Sequence, residues 1–402
     1  MKKNTILLLV MLCVSVYSDW ELTASGTSDD LLDILFVNSN VGYACGMNGT
    51  IVKTTNGGIN WIPQITGTSE FLTSLAMNPA NTIEVYACGD NGVIIKTTNG
   101  GTNWNLQNIG GLHNEIIFKD ANTGIAVGLY GQMYRTTNGG SNWQDIDAGI
   151  GAVTMNSLFV TANNIYCGSS SGKILRSTNN GLNWSNYQTP SSFAFYSIYF
   201  PNDVTGYAVD NTGKVFKSSN SGVNWSQISV NSGTKFTITR NGIDLFMCGV
   251  QGKILKSSNN GLNWIIQNTS TSIDFYAMQF VNAFVGFAAG EGGAIYRTSN
   301  GGEPIGINII STEVPQKYEL KQNYPNPFNP VTNIQFSVPH ASEVRLIVYD
   351  ALGQQTAELV NQRLSAGSYK VDLDASWLNS GIYFYRLSAG SFAETKKMIL
   401  IK

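Results

Sequence analysis

TTNGGINW at Thr54–Trp61 returns as TTNGGTNW at Thr97–Trp104 and TTNGGSNW at Thr136–Trp143. It returns again as STNNGLNW at Ser177–Trp184, SSNSGVNW at Ser218–Trp225 and SSNNGLNW at Ser257–Trp264. A seventh copy begins TSNGG at Thr298 and then runs into Glu303-Pro304. The first Asn of the phrase stands at 56, 99, 138, 179, 220, 259 and 300, so the spacings are 43, 39, 41, 41, 39 and 41 residues. A period of about 40 residues with strand-like content between the turns predicts one supersecondary unit per repeat, the pattern of a propeller.

Residues 31–65 serve as the type unit. LLDILFV, VGYACG, TIVKTT and NWIPQI read as four short strands separated by Asn/Gly turns, one antiparallel meander. Such a sheet cannot cover both apolar faces alone, and seven in a ring cover one another. The turn phrase has its own mechanism. The Asn carbonyl oxygen accepts backbone N–H groups just ahead of it, and the Gly two places later supplies a positive φ. The Trp buries its ring against the neighbouring sheet. Asn56, Asn99, Asn138, Asn179, Asn220, Asn259 and Asn300 are therefore expected to be structural, as are Trp61, Trp104, Trp143, Trp184, Trp225 and Trp264.

The phrase resembles the Asp-box, or bacterial neuraminidase repeat, with Asn in place of the usual Asp. The longer unit GYACGxNGxIxKTTNGGxNW resembles the propellers of the photosystem II stability/assembly factor family. The resemblance covers residues 19–302 and implies an all-β, seven-bladed β-propeller. It does not imply one function.

The seventh phrase lacks its Trp, and Pro304 stands where the outer strand should run; Pro cannot donate to a ladder. Trp20, in Asp19-Trp20-Glu21-Leu22, lies 41 residues before Trp61. The expectation is that residues after the leader supply the outer strand of the seventh blade and close the ring. The leader itself, residues 1–18, has Lys2 and Lys3 followed by an apolar run at Ile6–Val16, too short to span a membrane. It reads as a secretory signal cut after Ser18. No later segment reads as transmembrane.

Residues 303–317 read as a linker and 318–402 as a small β-sandwich of immunoglobulin-like type. This last segment resembles the C-terminal sorting domain of type IX secretion substrates. The resemblance rests on Asn323-Tyr324-Pro325-Asn326-Pro327-Phe328-Asn329-Pro330, on Gly381-Ile382-Tyr383 and on Lys397-Met398-Ile399-Leu400. It implies a Gram-negative, Bacteroidota-like host and the type IX secretion machinery as a partner. It also implies passage through the periplasm to the cell surface or the medium.

Charged residues make up 12% of the chain and the formal net charge is -2, which excludes the basic footprint of a nucleic-acid binder. Four cysteines outside the leader, Cys45, Cys88, Cys167 and Cys248, share one slot of the repeat. Equivalent points on neighbouring blades are ~10 Å apart, beyond the ~7 Å a disulfide allows, so these thiols are expected free and buried. No cofactor or metal site is legible. A basic residue precedes each turn phrase: Lys53, Lys96, Arg135, Arg176, Lys217, Lys256 and Arg297. Solvated heads on snorkelling stems are the plain reading of this ring, and attraction of an anionic partner the functional one.

Those arginines leave only Arg240 elsewhere in the propeller, too few for the arginine triad of a sialidase. A glycoside hydrolase acting on a polysaccharide needs two carboxylates. Asp33 and Glu115 fall in inner strands, and Asp90, Asp210 and Glu291 in turns after second strands. Tyr196 and Tyr276 enter blades five and seven, where they belong to the core or stack on a ligand. Repeats of near-uniform length favour a secreted, non-catalytic binding propeller for a glycan or protein ligand over the hydrolase.

Overall fold

The computed structural model describes residues 20–402 apart from 231, 232, 234, 243, 268, 283, 284, 300, 302–306, 312, 376 and 377. The leader with its cut after Ser18, and Asn300, lie outside the described residues. Among those described the strands form nine four-stranded sheets. Seven are the blades, each a meander from the channel outward. The first runs Leu31–Phe36, Gly42–Gly46, Ile51–Thr54 and Ile62–Pro63. Its second strand, GYACG, is buried along its whole length because both faces meet neighbouring blades, which explains the run of small and apolar residues.

The seventh blade takes its three inner strands from Phe275–Phe280, Gly286–Gly290 and Ile295–Thr298. Its outermost strand is Glu21–Thr23, paired Glu21 to Arg297, Leu22 to Tyr296 and Thr23 to Ile295. Trp20 is fully buried and meets Phe280 edge-on at 5.8 Å. Trp61 meets Phe36 at 5.7 Å, Trp143 meets Phe118 at 6.0 Å and Trp225 meets Phe200 at 5.8 Å in the same way. Trp20 thus stands in blade seven where the phrase tryptophans stand in theirs.

The turn phrase is held by a residue that the sequence reading passed over. Thr54 Oγ1 donates to Asn56 Oδ1 at 2.9 Å and accepts the Gly58 N–H at 3.0 Å, while Asn56 Oδ1 accepts the Asn60 N–H at 3.1 Å. The five complete copies that follow repeat all three bonds, with Thr97, Thr136, Ser177, Ser218 and Ser257 in the place of Thr54. Two consecutive left-handed residues make the bend, Gly57 at φ 69 and Gly58 at φ 76.

Each inner strand opens with a bulge. Leu31 pairs with Gly46 and Asp33 with Cys45, which leaves Leu32 as the extra residue. The other extras are Thr73, Asn114, Asn156, Tyr196, Phe236 and Tyr276. In the first two blades the backbones approach closely there: a Cβ on Gly46 would lie 1.8 Å from the Asp30 carbonyl oxygen, and one on Gly89 1.8 Å from that of Phe71. A bulge re-aims one side chain, and here seven bulges aim seven side chains at the axis.

Cys45, Cys88, Cys167 and Cys248 are buried in four different blades and form no disulfide. Burial pushes the Cys45, Cys88 and Cys167 thiols up, away from the reactive thiolate. Native protein without residues 1–18, and so without Cys13, is expected to show almost no reaction with a thiol reagent at pH 8, and the same protein denatured without reduction to titrate four thiols. A disulfide-linked peptide in a digest would contradict this.

The C-terminal region is two four-stranded antiparallel sheets around one core that includes Phe336, Leu346, Tyr369 and Tyr385. The expected linker is shorter than 303–317. Ile307–Ser311 is a strand paired with Gly367–Asp374, as its apolar INII run favours. The signature pieces meet in space. Asn323 is buried, its amide held by the Pro325 carbonyl and Thr332 Oγ1. Phe328 bridges to Leu400, Asn326 Oδ1 accepts the Ile399 N–H, and Tyr383 pairs with Met398. The two parts of the chain touch where Ser365 Oγ donates to Asp244 of blade six, at 2.8 and 3.0 Å to its two oxygens.

Candidate functional site

The inner strands enclose a channel of about 310 Å³ on the propeller axis. All seven bulged residues except Leu32 are polar or aromatic, and all seven line it. The structure brings Asp33, Glu115, Tyr196 and Tyr276 together there, with Phe236 between the two tyrosines. Tyr196 and Phe236 are stacked at 6.0 Å and 13°, and Phe236 meets Tyr276 edge-on at 5.3 Å. Their neighbours Phe195 and Phe275, one position earlier, are fully buried core residues. The bulge therefore separates core from channel between two adjacent aromatics.

Asp90, Asp210 and Glu291 do not line the channel. They sit outside it on the same face, since Gly89, Asp210 and Gly290 lie opposite the first residues of their inner strands. Asp210 is fully buried, and both its oxygens accept from Ser191, Thr212 and the Lys214 N–H. Its carboxylate is committed to its own turn. Glu291 is exposed and accepts the Asp274 N–H at 3.4 Å. Burial raises Asp90, with Glu70 adding to the effect. His113 is buried edge-on to Tyr134, and burial holds it down to about 4, so it is neutral near pH 7.

Channel side chains link one blade to the next. Asp33 Oδ1 accepts the Ile34 N–H and Oδ2 the Leu75 N–H of blade two, both at 2.7 Å. Ser74 accepts from Ile116, Glu115 Oε2 from Leu158 and Ser197 from Ile238. Two of the bulged residues do the reverse: Thr73 donates to the His113 carbonyl and Asn114 to that of Met155. Blade four breaks both series. Asn156 Nδ2 and Ser157 Oγ are buried without a hydrogen-bond partner.

Loss of water raises both channel acids. Asp33 goes up to about 6, and Glu115 well above its ordinary value with the charge of Asp33 adding to it. Between pH ~4 and ~6 the folded Asp33 keeps a proton that the unfolded chain releases, so its burial costs stability as pH rises through that window. At ~1.4 kcal/mol per pKa unit the cost is roughly 2–3 kcal/mol above pH 6. Asp33→Asn keeps an acceptor oxygen for the Leu75 N–H. Its NH2 then faces the Ile34 N–H, a constant loss at every pH, so in urea denaturation its stability relative to the parent is expected to rise by that much from pH 4 to pH 8. A difference between the two proteins that does not change with pH would refute the cost.

Four heads of the basic ring are bonded to the next blade rather than simply solvated. Lys53 donates to the Gly100 carbonyl, Lys96 to that of Gly139, Arg135 to that of Asn180 and Arg176 to that of Ser221. Each acceptor is the residue after the phrase Asn of the next blade, so these cations staple blade to blade. Lys217 lies over the Tyr207 ring, Lys256 pairs with Asp244 at 3.2 Å, and Arg297 faces Glu21 across the closing strand. The expectation missed this because the acceptor carbonyls lie one whole repeat away. The sequence reading also passed over Phe236, Asn114, Asn156 and Ser157; only alignment of the inner strands on their bulges would have found them.

Residues 12–299 match the family described as Photosynthesis system II assembly factor YCF48, and residues 322–402 match the Secretion system C-terminal sorting domain. Among solved structures, "YCF48 bound to D1 peptide" superposes with a TM-score of 0.60 at 22% identity, over 70% of this chain and 96% of that one. YCF48 from Cyanidioschyzon merolae gives 0.59 at 18%, over 70% and 98%. PorZ, a surface component of the type-IX secretion system of Porphyromonas gingivalis, gives 0.59 at 10%, over 94% of this chain but 60% of its own. No protein of curated function matches this chain. The family match covers most of the chain and coincides with the ring built from the repeated phrase: the protein belongs to the YCF48-like photosystem II assembly factor propeller family and ends in a secretion-system sorting domain.

Proposed function

We propose that this protein is an exported, non-catalytic binding propeller that holds an extended polypeptide segment at the mouth of its channel. The observation that carries the reading is the mouth itself. Three consecutive blades present Tyr196, Phe236 and Tyr276 as a row, with Phe236 touching both tyrosines, and the next blade round presents Asn156 Nδ2 with no acceptor. Aromatic faces supply contact area at low entropic cost, and the amide donor suits a peptide carbonyl. The related propeller solved as "YCF48 bound to D1 peptide" supports the same class of ligand. In the hydrolase alternative Asp33 and Glu115 would be the pair, yet both are engaged by main-chain donors of the ring.

The sorting domain gives the address: the cell surface or the medium, reached through the periplasm after removal of residues 1–18. Full-length mature protein screened against a peptide array and a glycan array is expected to retain peptides. Phe236→Ala is expected to weaken the best peptide about tenfold or more, as loss of a central aromatic anchor does. Binding of glycans alone, or peptide binding unchanged by substitution of all three rings, would overturn the reading.

A further inference from the structure

We propose that the channel takes a protonated primary amine of the bound polypeptide, held between the rings of Tyr196, Phe236 and Tyr276 and the carboxylates of Asp33 and Glu115. A lysine side chain and a chain N-terminus share this chemistry. The inference rests on the peptide reading for its source of the amine, and on the channel alone for its chemistry.

The first argument is charge. Two carboxylates line the channel, and none of its lining residues is basic. Both acids feel the loss of water, and Glu115 also feels Asp33. In the other blades the same slot holds Ser74, Ser157, Ser197, Thr237 and Ala277. Ser74 and Ser197 accept the next blade's N–H as the acids do. Joining the blades therefore needs a hydroxyl at most, and the two acids, on which burial tends to keep protons, ionise at least cost when a cation sits beside them.

The second argument is the wall opposite. Aromatic faces attract cations, most strongly where water is excluded. The three rings are contiguous, and among the described residues no protein cation lies over any of them: the ring contacts of lysines and arginines fall elsewhere, on Tyr43, Tyr86, Tyr187, Phe193, Tyr207 and Phe246. The third is independent of both. Ser157 is 2% exposed and lines the channel, and its Oγ has no partner where the equivalent Ser74 and Ser197 each accept an N–H. An ammonium group supplies three donors and no acceptor, which suits one unpaired hydroxyl oxygen and two carboxylates.

The test uses the full-length mature protein and calorimetry with two small probes, n-pentylammonium and 1-pentanol. The ammonium is expected to bind at least tenfold more tightly than the alcohol. The double variant Asp33→Asn/Glu115→Gln keeps acceptor oxygens for Leu75 and Leu158 and is expected to lose that tenfold preference while its melting temperature does not fall. Phe236→Leu is expected to weaken the ammonium and leave the alcohol nearly unchanged. Equal binding of the two probes, or an unaltered preference in the double variant, overturns the amine site. The best array peptide then identifies the source: a loss of at least tenfold on Nε-acetylation of its lysines assigns the side chain, and the same loss on N-terminal acetylation assigns the terminus. Tight peptides indifferent to both modifications overturn the inference and leave the peptide reading standing. Absence of any peptide, with the ammonium still bound, does the reverse.

Discussion

Trp20→Ala lowers the stability of the propeller by about 3–5 kcal/mol, as truncation of a buried Trp does, which for a domain of this size is a fall of roughly 10 °C in melting temperature. Two effects combine. The ring leaves the core it shares with Phe246, Phe275, Phe280 and Met278, and the three-residue strand that follows loses its anchor. Leu22→Ala is the control within that same strand: Leu22 is 63% exposed, so its loss is expected to stay within about 0.5 kcal/mol. Guanidinium denaturation of the two variants separates the positions. Equal midpoints would mean that the closing strand carries no load and that the ring is held by its other six interfaces.

A chain that ends after Gly301 is expected to fold and to remain inside the cell envelope, with export reduced at least tenfold. The boundary matters. Ending at 317 would leave Ile307–Ser311 without the Gly367–Asp374 strand it pairs with, an apolar edge open to aggregation. The cut after Gly301 removes the sandwich whole. It costs the propeller the Ser365 contact to Asp244, whose pair with Lys256 remains. Loss of export follows from what is removed: Asn323, Phe328, Tyr383 and Met398 join the two signature segments to the final strand as one surface. Immunoblots of cells and medium read the outcome. Normal export of the shortened chain would overturn the sorting assignment, while loss of the protein from all fractions would show that the propeller needs the sandwich in order to fold.

The repeated phrase carried the blade count because its Asn, Gly and Trp each answer a local demand, and local demands are what a single sequence displays. The missing seventh Trp exposed the seam for the same reason. The staples were hidden. Lys53 reaches the carbonyl of Gly100 and Asp33 the N–H of Leu75, pairings set by the curvature of the ring rather than by neighbouring residues. The channel was half visible. Asp33, Glu115, Tyr196 and Tyr276 stood out by residue type, but their meeting depends on bulges that break the period-2 rule, and Phe236 looked like any strand aromatic. The expected linker failed on Ile307–Ser311, whose short apolar run gained strand status only from a partner some sixty residues on.

The channel mouth, not the stapled face of the turn phrases, is where this propeller is expected to meet its partner. Hydrogen–deuterium exchange of the full-length protein, with and without its tightest array peptide, tests it most directly. Slowed exchange is expected at the openings of the inner strands, around Asn156, Tyr196, Phe236 and Tyr276, with the phrases from Thr54 to Trp264 unchanged. Protection confined to those phrases and the basic residues before them, with the channel strands unaltered, would contradict it.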